Sequence, residues 1–194
     1  MYFSDNFNAT IDLILVCDPS PSVGSSGIRR QKAFLEELLS QLPIGHDFVR
    51  VALVRFTSPP ELTWGLDASE TSDYTTLISA INNAIEIGSF SNVRNGLDTV
   101  LSNVIGSSGD RAEAPNVVIV IGDGYAGTDT DNLSELSEHA RVLAVNVHDI
   151  STNWNSYIPA CNTYDSFRYA TNSGEHTWDV AQVFRTIQLL YPID

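Results

Sequence analysis

Two aspartates, Asp18 and Asp123, each stand at the end of an apolar run that is typical of a buried β-strand. Asp18 directly follows the run at 11–17, and Asp123 follows the run at 117–121 after Gly122. Packing alone rarely places an acid at such a strand end, because a buried carboxylate needs a partner. Two such carboxylates side by side would repel each other unless a cation lay between them. The pair therefore predicts a cation site at the carboxyl ends of the strands.

Two hydroxyl groups accompany the first of these carboxylates, in the stretch Asp18-Pro19-Ser20-Pro21-Ser22. Ser20 and Ser22 are two positions apart, so an extended loop would present both hydroxyls on one side. Carboxylates and hydroxyls make an oxygen-only set that suits Mg²⁺, Mn²⁺ or Ca²⁺ and is poor for zinc. The alternative is that the two serines cap the helix that follows.

The elements that position these residues alternate along the chain. Apolar or alternating runs predict strands at 11–17, 49–56, 61–66, 117–121, 142–147 and 166–170. Apolar residues at helical spacing predict helices within 28–42, 77–85, 97–105, 131–140 and 177–190. Strands separated by helices at this rhythm form right-handed βαβ units. The predicted fold class is α/β, a three-layer, doubly wound domain with a mainly parallel central sheet, one short antiparallel edge strand and helices on both faces.

The composition limits the functions that this chain can have. Asp and Glu outnumber Lys and Arg by 24 to 10, which gives a formal net charge of −14 on 194 residues. No basic surface is available to neutralise phosphates, so nucleic-acid binding is excluded and anionic membrane surfaces are disfavoured. No apolar run reaches the roughly 20 residues of a membrane-spanning helix. The hydrophobic fraction of 43% is enough for a core. We predict a single domain over 1–194, with its core at about 11–191.

These residues resemble the motif of the von Willebrand factor A domain family, which includes the inserted domains of integrins. In that family a metal-ion-dependent adhesion site begins with Asp-x-Ser-x-Ser after the first strand, and Asp18, Ser20 and Ser22 match this motif. The family's Asp-Gly pair after its fourth strand matches Asp123-Gly124. The resemblance extends from Asp12 to Leu190 with the elements in the same order.

The family also supplies a threonine ligand from a loop that precedes a helix. Alignment on Gly96-Leu97 places Ser91 at that position, with Ser89 as the alternative. Val93 and Arg94 replace the family's second threonine and its glycine, so this loop diverges from the family pattern.

The resemblance implies binding rather than catalysis, so the chain is not expected to be an enzyme. Ser20, Ser22 and Ser91 would touch a divalent metal, and Asp18 and Asp123 would hold it largely through water. Mg²⁺ is the expected ion, with Mn²⁺ or Ca²⁺ as alternatives. The metal would accept an Asp or Glu carboxylate from a protein partner. The resemblance further implies an extracellular adhesion module within a larger multidomain protein, with no nucleic acid bound and no direct membrane insertion.

Two alternative functions differ in the role of Asp18. A Mg²⁺-dependent phosphohydrolase of the haloacid dehalogenase kind would use Asp18, but it needs a second Asp where Ser20 stands. It also needs a phosphate-binding Lys, and no lysine follows Lys32; Arg94 is the nearest candidate to replace it. A metal-independent interaction domain of the same fold would be indicated by loss of Asp18 or Asp123, and both are present.

The cysteines and glycosylation sequons say less about function. Cys17 lies in an apolar run and is expected to be a buried small hydrophobic residue. A bridge from Cys17 to Cys161 is not expected, because the family's first and last strands are far apart. The sequons at Asn8 and Asn132 would permit glycosylation outside the cell, although about two such triplets are expected by chance.

Overall fold

Six strands of the described residues form a sheet at the centre of the fold. The computed structural model describes residues 10–90, 92–123, 133–147, 166–168 and 176–190. The strands are β1 (Ile11–Cys17), β2 (Val49–Arg55), β3 (Glu61–Trp64), β4 (Asn116–Gly122), β5 (Ala140–Asn146) and β6 (Ser166–Arg168). Their order is β3-β2-β1-β4-β5-β6, with β3 antiparallel to β2 and every other pair parallel. The strand order reverses between β1 and β4, which is where open α/β sheets bind ligands.

Helices cover both faces of this sheet. They are α1 (Gly24–Leu39), α2 (Tyr74–Ala84), α3 (Val93–Thr99), α4 (Leu133–His139) and α5 (His176–Leu190). On one face, residues of β1 such as Leu13 share a buried cluster with α1, α2 and α5. On the other face, Ile14 and its neighbours share a second cluster with α3 and α4. The predicted three-layer α/β class is confirmed. None of the described helices has the length and apolar character that crossing a bilayer requires.

The burial of the two central strands, β1 and β4, explains why their sequences are continuously apolar. Every residue of β1 is buried, and so are the last six residues of β4. A parallel strand that is covered by helices on both sides has no solvent-facing positions, so alternation of polar and apolar residues disappears. The short β3, by contrast, is largely exposed or half-buried, as an edge strand is.

The third predicted helix differs from the expectation in its start and in its second half. α3 begins earlier than the apolar spacing indicated, because the side chain of Asn92 accepts a hydrogen bond from the backbone N–H of Asn95 and caps it. The chain then forms a π-helical turn over Val100–Val104, closed by the N–H of Ile105 donating to the carbonyl of Val100 at 3.0 Å. Positions 131–132 and 169–170 of two other predicted elements lie outside the described residues.

The amino-terminal edge of the sheet contains a buried ion pair that the sequence did not predict. Asp12 of β1 is fully buried. Its Oδ1 accepts from Nη2 and Nε of Arg111 at 2.6 and 2.9 Å, and its Oδ2 accepts from the backbone N–H of Arg111 at 2.8 Å. Nη2 of Arg111 also donates to the carbonyl of Phe48 at 2.8 Å. The charge of this buried carboxylate is therefore compensated within the chain.

Candidate metal centre

Asp18 and Asp123 follow neighbouring parallel strands at the same edge of the sheet. Cys17 of β1 lies opposite Ile121 of β4, and the backbone N–H of Asp18 donates to the carbonyl of Ile121 at 2.9 Å. Asp18 is fully buried, and Asp123 is only 8% exposed. Two carboxylates thus stand at the carboxyl ends of the two central strands, which is the relationship that the apolar runs predicted.

The two serines turn their hydroxyl groups toward each other. Oγ of Ser20 lies 2.9 Å from Oγ of Ser22, and the backbone N–H of Ser20 donates to Oδ1 of Asp18 at 2.9 Å. Ser20 is buried, whereas Ser22 is exposed. Neither hydroxyl caps α1, whose first turn follows Val23 without a side-chain cap. The loop therefore groups one carboxylate and two hydroxyls on one side.

A glycine leaves room for the carboxylate of Asp18. A β carbon built on Gly122 would lie 2.8 Å from Cβ and 3.0 Å from Oδ2 of Asp18. Heavy atoms do not approach so closely, so any side chain at Gly122 would displace Asp18 or the strand. The close approach brings the Asp18 carboxylate against the backbone immediately before Asp123.

The turn between this loop and α1 depends on a second glycine. The backbone N–H of Val23 donates to the carbonyl of Ser20 at 3.2 Å and closes a turn. Gly24 then adopts a φ of +64°, in the left-handed region that favours glycine, and begins α1. This geometry lets the chain leave the buried strand end and enter the helix within a few residues.

Gln31 supports the same loop and was missed by the sequence reading. It is fully buried, and the other buried residues of α1 are all non-polar. Its Nε2 donates to the backbone carbonyl of Asp18 at 2.6 Å, while its Oε1 has no hydrogen-bond partner. A buried amide is costly unless it is bonded, so this interaction holds the loop rather than merely filling space. The available signal was a glutamine at an inward position of an apolar helix face.

The loop between α2 and α3 is attached to the Asp18 loop. The backbone N–H of Gly88 donates to the carbonyl of Pro19 at 2.7 Å, and the N–H of Asn92 donates to the carbonyl of Phe56 at 3.2 Å. Ser91, the predicted third hydroxyl, lies between these two attachments but outside the described residues. The alternative, Ser89, accepts from the backbone N–H of Ser58 at 3.3 Å.

A further polar residue, also missed, ends the neighbouring strand. Asn146 is the last residue of β5, lies opposite Gly122 and is 4% exposed. The backbone N–H of Val147 donates to the carbonyl of Gly122 at 2.9 Å, so β5 remains paired with β4 to this point. Three adjacent parallel strands therefore end in buried polar residues at one edge.

Cys17 lies directly beside the candidate centre but is a packing residue. It is fully buried, as predicted, and it is a free cysteine. Burial, and secondarily the charge of Asp18, raise the pKa of the Cys17 thiol far above its ordinary value, and Arg55 opposes this only in part. A neutral buried thiol is neither a metal ligand nor a nucleophile.

The donor set fits a hard divalent cation. The groups at this edge are carboxylate and hydroxyl oxygens, the type that Mg²⁺, Mn²⁺ and Ca²⁺ prefer. Within the described ranges, no group of three or more His, Cys, Asp or Glu side chains is arranged to hold a metal. A site at this edge would therefore need the hydroxyls of Ser20 and Ser22 as well as the two carboxylates.

Comparison with known proteins agrees with this fold. The model of the von Willebrand factor type A domain family matches residues 12–165, and the chain belongs to this family. Vitrin from Mus musculus is 32% identical over 145 residues, which cover 74% of this chain and 22% of vitrin. The collagen alpha-1(XX) chain from Mus musculus is 29% identical over 61% of this chain and 9% of its own length. The chain thus spans about a fifth of vitrin and about a tenth of the collagen chain.

Two solved structures have the same fold at lower sequence identity. Proximal thread matrix protein 1 from the mussel byssus, described with a zinc-occupied MIDAS motif, superposes with a TM-score of 0.74 at 19% identity, over 93% of this chain and 46% of that one. The manganese-loaded TRAP protein of Plasmodium vivax superposes with a TM-score of 0.75 at 19% identity, over 91% of this chain and 72% of that one.

Proposed function

We propose that this domain is a divalent-metal-dependent protein-binding module that acts in adhesion or recognition. The observation that carries the proposal is the burial of Asp18 and Asp123 at the ends of adjacent strands, beside two serine hydroxyls 2.9 Å apart. Ser20, Ser22 and Ser91 would hold the ion directly, and Asp18 and Asp123 would hold it largely through water. Ser91 is favoured over Ser89 because Ser89 is already engaged with Ser58.

Mg²⁺ is the ion that we propose for this site, with Mn²⁺ or Ca²⁺ as alternatives. The oxygen-only donor set supports a hard cation. The manganese-loaded TRAP structure supports a divalent ion in this fold, and the zinc-occupied mussel protein shows that a softer ion can enter a related motif. The backbone hydrogen bond from Ser20 and the amide of Gln31 hold the Asp18 loop in place for either ion.

The partner is a protein that presents an Asp or Glu side chain. When bound, the metal supplies an electrophilic open position for that carboxylate. The protein offers the ion only two carboxylates, and the other ligands are neutral hydroxyls. The negative charge of the site therefore does not exceed the positive charge of the ion, which can still attract a carboxylate from a partner. The formal net charge of −14 supports this assignment over nucleic acid, since the remainder of the surface repels phosphates.

We further propose that the domain is extracellular and is part of a larger multidomain protein. This is supported by the collagen and mussel byssus relatives and by the small share of vitrin and collagen that the chain covers. An enzymatic role has little support. A phosphohydrolase would need an acid where Ser20 stands, and Arg94 forms a 3.7 Å ion pair with Asp98 along α3.

Titration calorimetry with Mg²⁺ and Mn²⁺ tests the metal site. The wild type should bind one ion, and Asp18→Ala, Asp123→Asn and Ser22→Ala should each weaken binding by about 10- to 100-fold. Asp47→Asn is the matched control, because Asp47 is exposed and precedes β2 at the opposite edge. Wild type without saturable binding would contradict the proposal, and so would equal losses in Asp123→Asn and Asp47→Asn.

A further inference from the structure

Two exposed apolar side chains border the candidate metal centre. Phe90 is 83% exposed and Ile87 is 51% exposed, and both belong to the loop between α2 and α3. Within the described ranges, Phe48 is the one other large hydrophobic residue with comparable exposure. Two large, solvent-exposed apolar side chains within four positions of each other favour a contact surface over random exposure.

This loop is held in place, so the exposure of its apolar residues is a feature of a fixed surface. Gly88, between the two residues, donates its N–H to the carbonyl of Pro19 at 2.7 Å. A β carbon on Gly88 would lie 3.5 Å from the Pro19 ring and 3.3 Å from Thr57, which shows how closely the two loops pack. Phe90 directly precedes Ser91 in the sequence. A ligand that reaches the candidate centre therefore meets this surface at its border.

We propose that Ile87 and Phe90 form an apolar contact surface that selects partners in which a large apolar residue lies close to the metal-binding carboxylate. The proposal rests on the function proposed above. An extended segment advances about 3.3 Å per residue, so one segment could place its acid at the centre and an apolar side chain a few residues away on this surface. The metal would then supply affinity for the acid, and Ile87 and Phe90 would decide which acidic segment binds.

Charge and area favour a peptide segment of another protein as the occupant. The net charge of −14 and the exposed Glu86 beside Ile87 oppose further acids, so the segment has one carboxylate in a neutral or basic surrounding. A second copy of this chain carries the same charge. An aromatic side chain such as Phe90 buries about 150–250 Å², so two side chains fall well short of the roughly 1,600 Å² of a stable protein interface.

Selection from a phage-displayed library of random 12-residue peptides, in Mg²⁺, tests the proposal. The wild type should enrich peptides in which Asp or Glu stands within about three residues of Phe, Trp, Leu or Ile. The double variant Ile87→Ser/Phe90→Ser should still enrich acidic peptides but without the apolar neighbour. Its far-ultraviolet circular dichroism and its Mg²⁺ affinity should equal those of the wild type, because both side chains are exposed.

A double-mutant cycle then measures the contact directly. The probe is the most enriched peptide and its counterpart with the apolar residue changed to Ser. Phe90→Ser should lower the affinity for the first peptide by about 10-fold and the affinity for the second by less than about 2-fold. Phe48→Ser is the matched control, since Phe48 is 44% exposed beside the opposite edge and should change neither affinity.

The outcomes separate this proposal from the metal-dependent function. If the wild type selects metal-dependent acidic peptides without an apolar neighbour, the proposal about Ile87 and Phe90 alone is overturned. The same holds if Phe90→Ser weakens the binding of both peptides in the cycle equally. Binders that survive EDTA, or a library without any Mg²⁺-dependent binder, would overturn the metal-dependent function and the surface with it. Phe90-dependent dimers in analytical ultracentrifugation, or Phe90-dependent binding to phosphatidylcholine vesicles, would contradict the proposal that a peptide segment occupies this surface.

Discussion

The carboxylate of Asp18 fits against Gly122 with no space for a side chain between them. Gly122→Ala should therefore push Asp18 out of place. We expect a loss of about 1–3 kcal/mol in the free energy of unfolding and a weakening of Mg²⁺ binding of at least about 10-fold. Denaturant unfolding and calorimetry measure the two effects. Gly45→Ala is the control, because the atom nearest to its added β carbon would be 3.7 Å away, in ordinary contact. Equal Mg²⁺ affinity in Gly122→Ala and wild type would contradict this.

Gln31→Leu removes the amide that holds the carbonyl of Asp18. Leucine has a similar volume and removes the buried, unpaired Oε1. The free energy of unfolding should therefore change by less than about 1.5 kcal/mol. The loop loses its support, so Mg²⁺ affinity should fall by about 2- to 10-fold. Hydrogen exchange of the metal-free protein should be faster at residues 18–22. Gln41→Leu, two residues beyond the end of α1, is the control. Identical exchange at 18–22 in both variants would exclude the positioning role.

Arg111→Met leaves the buried Asp12 without its guanidinium. Removal of one member of a buried pair should cost about 3–5 kcal/mol in the free energy of unfolding. The double variant Asp12→Leu/Arg111→Met removes the stranded charge and should regain part of that loss. Mg²⁺ affinity of the folded protein should be unchanged, because this pair lies at the edge opposite the candidate centre. An equal loss in single and double variants would show that the side-chain ion pair is not the cause.

Cys17 should resist alkylation in the native state. Its burial and the raised pKa of its thiol keep both the reagent and the thiolate population low. Mass spectrometry after iodoacetamide treatment at pH 8 should find Cys17 unmodified in native protein and modified in 6 M guanidinium chloride. Rapid native modification would indicate that the end of β1 opens readily.

Asp73 should make the stability depend on pH in the acid range. It caps α2 by accepting from the backbone N–H and the hydroxyl of Thr76, and these bonds lower the pKa of its carboxyl below 3.8. A lowered folded-state pKa means that the stabilisation is complete well above pH 3.8 and is lost as the pH falls through the folded-state value. The stability difference between wild type and Asp73→Asn should therefore shrink as the pH falls below about 4, the ordinary pKa of an aspartate carboxyl. A difference independent of pH would contradict the assignment.

The positions of Asp18 and Asp123 could be predicted because each depends on local patterns and one topological rule. The continuous apolar runs before them identify buried parallel strands, and the carboxyl ends of such strands meet at one edge. The metal-binding roles of these aspartates, Ser20, Ser22 and Ser91 stay predictions that the calorimetry above tests.

Other parts of the site could not be predicted, because they depend on contacts between distant or irregular segments. The hydrogen bond from Gln31 to the carbonyl of Asp18 joins a helix to a loop, and the spacing of residues in the sequence does not predict it. The bond from Gly88 to Pro19 joins two loops, where periodicity carries no information. Arg111 reaches Asp12 from a loop that apolar patterns describe only as polar. In each case the contact is set by tertiary packing, which local sequence does not encode.

β1 and β4 are neighbours in the sheet although more than half of the chain separates Asp18 from Asp123. The loop at 106–115 lies between the halves that carry them. A chain cut there would divide the two carboxylates between fragments, and neither fragment alone would contain both. Reassembly of the fragments would recreate the pair, so ion binding would favour reassembly by linkage. Such a split protein would convert the concentration of a divalent cation into the joining of two polypeptides.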